Sequence, residues 1–500
     1  MDQFLEKVRK SLKIKAPLDS GFIPMALFIK MFEELAEKKP SLPVAISIER
    51  TGGSVSVYRT VCLADEQVYG GLNILYVERL VKSMIWAYGG FKVTVGAPEY
   101  IGDAIKGQYA AGGKREFDYG LMKTVYEREF TIETAPYQDI PAPKTSSAPA
   151  GRHLDGCRLG FDAGGSDIKV SAVIDGEPVF SKEIVWLPKV QTDPEYHFKH
   201  IVDAMKLGAA HLPKVDAVGI SSAGIYVDNR TMVASLFMKV PKDDFDSKVK
   251  DIYIRAVEAL GDGIPMAVAN DGDVTALAGA MELGDANVLG IAMGTSEAAG
   301  FVDANGNIAG YLNELAFVPC DLNPDAMIDE WSGDYGCGVK YFSQDAVAKL
   351  APAAGISFTE DMTPAEKLKY VQGLMAGGGS AGSIGCGAGP DSPAGSDSPA
   401  GSDSLADASV GAADIFRTIG VYLGYGIAFY SKLYDIRHVL VLGRVTSGAG
   451  GGMIIGLADM VLKAEFPELD VTLHLPDESS RRVGQSIAAA SLPKIIAVQT

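Results

Sequence analysis

Apolar positions along this chain switch between two periods. Leu159 and Phe161 alternate with small residues, and Ile168, Val170 and Ala172 alternate with polar ones, which predicts two strands flanking Ala163-Gly164-Gly165-Ser166. Further strands are expected at 179–186, 215–221, 266–269, 287–292, 439–442 and 471–473, with a return strand around Asn305-Gly306 that pairs 300–302 with Ile308. Helical spacing is expected at 197–207, 246–260, 274–282, 412–433, 453–463 and 483–490. Upstream, Phe4, Leu5, Val8 and Leu12, then Leu27, Phe28, Met31, Phe32 and Leu35, repeat at helical spacing. Strands at 43–49 and 55–63 join across Gly52-Gly53, followed by a helix at 74–88, a strand at 91–96, a helix at 100–109 and a strand at 130–134.

This pattern divides the chain into an N-terminal α/β unit, residues 1–135, a proline-rich linker, 136–156, and a main unit split into lobes at 157–285 and 286–492. Laid on its glycines over the hairpin at Asp162, the 48–57 segment puts Arg50 where Asp162 stands. The N-terminal unit is therefore either a degenerate half-copy of the main fold or a generic hairpin-containing domain. Residues 376–408 are low in complexity, with Asp391-Ser392-Pro393-Ala394-Gly395-Ser396 repeated immediately, and are expected to form a disordered insert.

Composition narrows the function. The net charge of −18 argues against sequence-independent nucleic-acid binding. Cys62, Cys157, Cys320, Cys337 and Cys386 are odd in number and widely spaced, which suggests reduced thiols in a cytoplasmic protein. The charged N-terminus has no signal-peptide pattern, and no apolar run reaches the length of a membrane span. A homodimer is left open.

The candidate chemistry lies at strand ends. Glycine turns follow apolar strands at Gly164-Gly165-Ser166, Gly294-Thr295-Ser296 and Gly443-Arg444, where backbone N–H groups can hold phosphate. Asp162 ends the first strand; beside an anion a carboxylate calls for a cation, and Mg²⁺ held through water is the natural one, the alternative being a solvated turn residue. Lys169 either approaches phosphate or is a solvated edge charge. Asn270-Asp271 ends another strand and opens an alanine-rich helix. Asp271 suits a general base, while Asn270 either contacts substrate or caps the helix.

From about residue 157 to 492 the chain resembles the ROK group of sugar kinases in the actin/hexokinase/Hsp70 ATPase superfamily. Asp162-Ala163-Gly164-Gly165-Ser166 is similar to the first phosphate motif, Gly294-Thr295-Ser296 through Val302 to the second, and Leu442-Gly443-Arg444-Val445 to the adenosine motif. Asn270-Asp271 resembles the catalytic Asn-Asp, and Asn313-Glu314-Leu315 the segment whose glutamate contacts sugar hydroxyls. The resemblance implies a two-lobed actin-like ATPase (ribonuclease H-like) fold with an added N-terminal domain. It also implies ATP and Mg²⁺ as cofactors and phosphoryl transfer to a sugar or polyol hydroxyl. ROK relatives that regulate transcription make a non-catalytic sugar- or nucleotide-binding protein the alternative.

Two departures stand out. Ala316-Phe317 replaces the family's Gly-His pair, and Gly336-Cys337-Gly338-Val339 lacks its sugar-binding glutamate. Missing polar partners argue against glucose, whose hydroxyls would be buried unpaired. The zinc-binding cysteine cluster is also missing, so no zinc is expected.

Overall fold

The computed structural model describes residues 1–145, 150–376, 401–476 and 481–495, without side-chain surroundings for 401–407 and 481–483. The N-terminal unit runs α1 (Asp2–Ser11), α2 (Met25–Lys38), β1 (Ser41–Glu49), β2 (Val55–Leu63), α3 (Glu66–Tyr88), β3 (Lys92–Gly96), α4 (Glu99–Gln108), α5 (Glu116–Tyr126) and β4 (Thr131–Thr134). Its sheet order is β2-β1-β3-β4.

The first lobe comprises β5 (Cys157–Ala163), β6 (Asp167–Ile174), β7 (Glu177–Val185), α6 (Pro194–Ala209), β8 (Ala217–Ser222), β9 (Ile225–Val227), β10 (Arg230–Val233), the short α7 (Lys242–Asp244), α8 (Ile252–Glu258), β11 (Met266–Asn270) and α9 (Asp271–Leu283). The single helix expected over 246–260 is broken: a π-turn at Phe245–Val249 separates α7 from α8. The sheet order is β11-β8-β5-β6-β7, in which β5-β6 and β6-β7 pair antiparallel and β5-β8 and β8-β11 pair parallel.

The second lobe comprises β12 (Val288–Met293), β13 (Glu297–Val302), α10 (Gln344–Leu350), α11 (Pro364–Met375), α12 (Gly401–Tyr430), β14 (His438–Leu442), α13 (Ala449–Glu465), β15 (Thr472–His474) and α14 (Arg481–Ala490). Its sheet repeats the plan of the first: β12 and β13 form an antiparallel hairpin, then β14 and β15 add in parallel, in the order β13-β12-β14-β15. The expected return strand is reduced to one bridge, Val302 with Ile308.

Two sheets of this topology, each an antiparallel hairpin extended by parallel strands, make the two-lobed actin-like ATPase fold, with the extra α/β unit in front. Helices α9 and α14 pack between the lobes through Ala276, Leu277, Ala280, Ala488 and Ala489. The last helix returns to the first sheet, where Gly160 and Gly219 leave room for its backbone.

Three expectations can be set beside these elements. The N-terminal sheet differs from the lobe plan in that β3 runs antiparallel to β1, whereas β8 runs parallel to β5, which favours the generic hairpin-containing domain over the half-copy. The 136–156 stretch is tied down, since Lys144 bridges Val55 and Ala150 bridges Ile308. Of the expected insert 376–408, residues 377–400 lie outside the described residues, while 401–408 belong to α12, which starts just past the last proline of the repeat, Pro399.

Candidate functional site

Strand register builds one side of the site. Asp162 on β5 lies beside Ser221 on β8, which lies beside Ala269 on β11; one step on, Ala163, Ser222 and Asn270 align. Parallel strands thus end together, and Asp162 and Asn270-Asp271 emerge from the same sheet edge.

Asp162 is buried and accepts a 2.7 Å hydrogen bond from Ser221 Oγ. Burial pushes its carboxyl upward, while Ser221 and the Lys169 ammonium pull against that rise. Lys169 Nζ is 3.6 Å from Asp162 and 2.9 Å from Asp167, so the lysine is this carboxylate's ion-pair partner. In the turn that follows, the Gly164 N–H donates to Asp167 O at 2.9 Å, and Trp186 Nε1 donates to Gly164 O at 2.8 Å. Neither Gly164 nor Gly165 has a positive φ; glycine is needed at 164 because a Cβ would stand 2.9 Å from Asp167 O. Gly165 and Ser166 are exposed.

Asn270 caps α9: its side chain accepts from the Gly272 N–H at 2.7 Å and donates to Gly224 O at 2.8 Å. The amide is committed at both ends, and this fixes Asp271 as the first residue of the helix. Asp271 is half-buried, and its carboxyl is pushed up to about 6 by burial, then by the Asp162 charge, with the Gly272 N–H and the Lys189 ammonium drawing it back. Asp273 is buried, accepts from Asn313 Nδ2 at 2.7 Å and is pushed up to about 7, chiefly by burial. Glu314 is half-buried and pushed up to about 7 by burial and then by Asp271, which places the two carboxylates within each other's field.

On the second lobe, the Gly294 N–H donates to Ser296 O at 3.0 Å, leaving Thr295 and Ser296 exposed at the turn. Gly443 follows β14 with φ +100°, and a Cβ there would stand 2.4 Å from Met293 O, so the Gly294 and Gly443 turns are neighbours. Arg444 is exposed, and its carbonyl accepts from Gln372 Nε2 on α11 at 2.9 Å. The lobes meet tightly at the start of α9, where a Cβ on Gly300 of β13 would lie 2.2 Å from Gly272 O.

Sequence reasoning missed several members. Lys189 is exposed in the turn after β7, and its Nζ lies 3.4 Å from where a Cβ on Gly165 would stand. It is also near enough to Asp271 to lower that carboxyl's pKa. Only the folded sheet reveals this, since no local pattern marks Lys189. Glu297, directly after the Gly294 turn, is buried with Oε2 unpartnered, and burial pushes it up to about 8. The N-terminal unit also reaches the site: the carbonyls of Trp86, Ala87 and Tyr88 at the end of α3 accept from the N–H groups of Glu314, Asn313 and Leu312 at 2.9–3.2 Å.

Among the described residues no group of three or more His, Cys, Asp or Glu side chains gathers to hold a metal. No helix is long and apolar enough to cross a membrane among the described residues.

No family profile matches the chain, and no curated protein matches it. Solved structures do resemble it. A ROK hexokinase from Thermus thermophilus is 16% identical, covering 67% of this chain and 96% of its own, with a TM-score of 0.48. A ROK glucokinase from Streptomyces griseus, in complex with glucose and AMPPNP, is 21% identical over 67% and 98%, with a TM-score of 0.42. A ROK transcriptional regulator, homologous to the E. coli MLC protein, is 16% identical over 68% and 79%, with a TM-score of 0.45.

Proposed function

We propose that this protein transfers the terminal phosphoryl group of ATP to a hydroxyl of a small sugar or polyol other than glucose. The observation that carries the reading is Asp271, fixed at the first turn of α9 between the lobes with a carboxyl at about 6, hence ionised at neutral pH. Its carboxylate takes the proton as the attacking hydroxyl oxygen bonds to phosphorus and the bond to the departing ADP oxygen breaks. Asn270 is a positioning residue. Glu314 accepts a hydrogen bond from a second substrate hydroxyl. Gly164, Gly165 and Ser166 on one lobe, and Gly294, Thr295 and Ser296 on the other, offer N–H and hydroxyl donors to the phosphates, and Lys189 adds a cation beside them. Gly443 and Arg444 lie toward the nucleoside. Mg²⁺, held by Asp162 through water, would supply charge neutralisation at the phosphate oxygens.

The test is a coupled ADP-release assay across hexoses, amino sugars and polyols. Substrate-dependent turnover is expected, falling by roughly 10²–10⁴ in Asp271→Asn. Turnover unchanged in that variant removes Asp271 from the role of base. Thermal stabilisation by sugars without any turnover would mark a non-catalytic sugar-binding regulator instead.

A further inference from the structure

Arg50 follows β1 and turns inward to the seam between the N-terminal unit and the second lobe. Only 6% of it is exposed. Its guanidinium carbon stands 4.8 Å from the Tyr311 ring centroid, and Nη1 donates to Ser56 Oγ at 2.8 Å. The titratable groups facing it are Tyr88, Tyr126, Tyr311 and Tyr434, and burial lowers its pKa. No carboxylate pairs with it among the described residues. Among the described residues the other buried lysines and arginines have acids at hand, as where Arg79, Lys82 and Arg115 surround Asp334. A buried guanidinium without an anion is costly, and aromatic faces compensate only in part.

Two cage residues also keep hydroxyls in reserve. Tyr88 donates to Leu433 O, and Tyr434 hydrogen-bonds Asn313 Oδ1. The Tyr126 and Tyr311 hydroxyls have no hydrogen-bond partner among the described residues, and neither is among the fully buried atoms left unpaired. Arg50 Nε and Nη2 stand the same way. None of these donors has an acceptor among the described residues.

We propose that Arg50, with the hydroxyls of Tyr126 and Tyr311, forms a binding site for an anionic group, a carboxylate or phosphate, on a small organic ligand. Tyr311 lies three residues before Glu314 on the same loop, so a sugar acid or sugar phosphate is the class that suits both ends of that loop. The anion site itself stands whether or not the inter-lobe site transfers phosphate, because it is read by binding alone.

The test measures thermal stabilisation and calorimetric affinity without ATP, using inorganic phosphate, gluconate, glucose 6-phosphate and glucose. Gluconate and glucose 6-phosphate separate carboxylate from phosphate. At least one anion is expected to bind the unaltered protein, with affinity at least tenfold weaker in Arg50→Met, partly retained in Arg50→Lys, and with glucose indifferent to both changes. Tyr126→Phe, which keeps the ring, is expected to weaken the same anion and serves if Arg50→Met does not fold. Selenate soaked into crystals of the unaltered protein is expected to give an anomalous peak at Arg50. The proposal is overturned if no anion binds, if binding is equal in Arg50→Met or Tyr126→Phe, or if selenate settles only elsewhere.

Discussion

Asp271 owes its chemistry to its neighbours. A carboxylate at the first position of a helix would ordinarily be favoured in its charged form by the helix N-terminus. Here burial and the Asp162 charge outweigh the Gly272 N–H and lift the carboxyl to about 6. In the proposed role of base Asp271 acts deprotonated, so that reading expects kcat/KM to be lost as pH falls through about 6. Lys189 supplies the opposing pull, since its ammonium favours the carboxylate. In Lys189→Met that pull is gone, Asp271 holds its proton to higher pH, and the acid limb of the pH–rate profile should move upward. The KM for ATP should rise as well, because the lysine lies against the Gly165 turn. An unmoved acid limb with a raised KM would leave Lys189 a phosphate contact alone.

At the scale of elements, helix α3 explains what the sequence left unexplained. Phe317, which departs from the pattern of the group the sequence resembles, stacks on Trp86 of α3 at 4.1 Å between ring centroids, and Phe117 of α5 lies 5.7 Å from Phe317. The other departure, around Cys337, adjoins Asp334, which pairs with Arg79 Nη1 at 2.9 Å, Lys82 Nζ at 2.8 Å and Arg115 Nη1 at 2.8 Å. Against burial, which alone would raise it, the charges of Arg79 and Lys82 hold the Asp334 carboxyl below its usual range. Both departures therefore mark the seat of the N-terminal unit. Removing Asp334 leaves three buried cations sharing Glu78 and Asp118. Asp334→Ala should destabilise by about 3–5 kcal/mol in urea unfolding, the cost of breaking a buried pair. Glu129→Ala, which removes the exposed partner of Lys123, should leave the midpoint unchanged. The strand-turn elements were legible because period-two alternation and glycine turns are local signals: β2 occupies the expected 55–63, and β5 and β6 flank the turn as read. The direction of β3, the place of Lys189 and the seat of α3 were not, because each depends on which distant segment lies opposite. On α3 the charged Glu78, Arg79 and Lys82 are all buried, because they neutralise one another and their partners, which helical spacing alone does not announce.

At the scale of the molecule, the N-terminal unit has no core of its own. Phe28, Phe32, Tyr76 and Trp86 belong to the same apolar cluster as Phe301, Tyr341, Phe342, Tyr422 and Tyr430 of the second lobe, and Ile225 and Met232 of the first lobe join it. Most of the first lobe packs around a separate cluster, and its α9 joins α14 in a third. Surface ion pairs from Glu127 to Arg230 and Lys250 also tie the unit to the first lobe, but exposed pairs of this kind add little to stability. Attachment is therefore chiefly apolar burial plus the Asp334 network, and it is directed at the second lobe. A chain beginning at residue 150 would expose aromatic rings that α2 and α3 now cover and strip Asp334 of its three cations. It would also lose the three α3 carbonyls that hold the backbone of Leu312, Asn313 and Glu314. Such a truncation should express as aggregate, or as a dye-binding species without a cooperative thermal transition. It should not behave as a free-standing two-lobed domain, although both sheets would be present. A soluble monomer of 150–500 with a sharp transition and undiminished ligand binding would show that the unit is an appendage and that Glu314 is held by its own lobe.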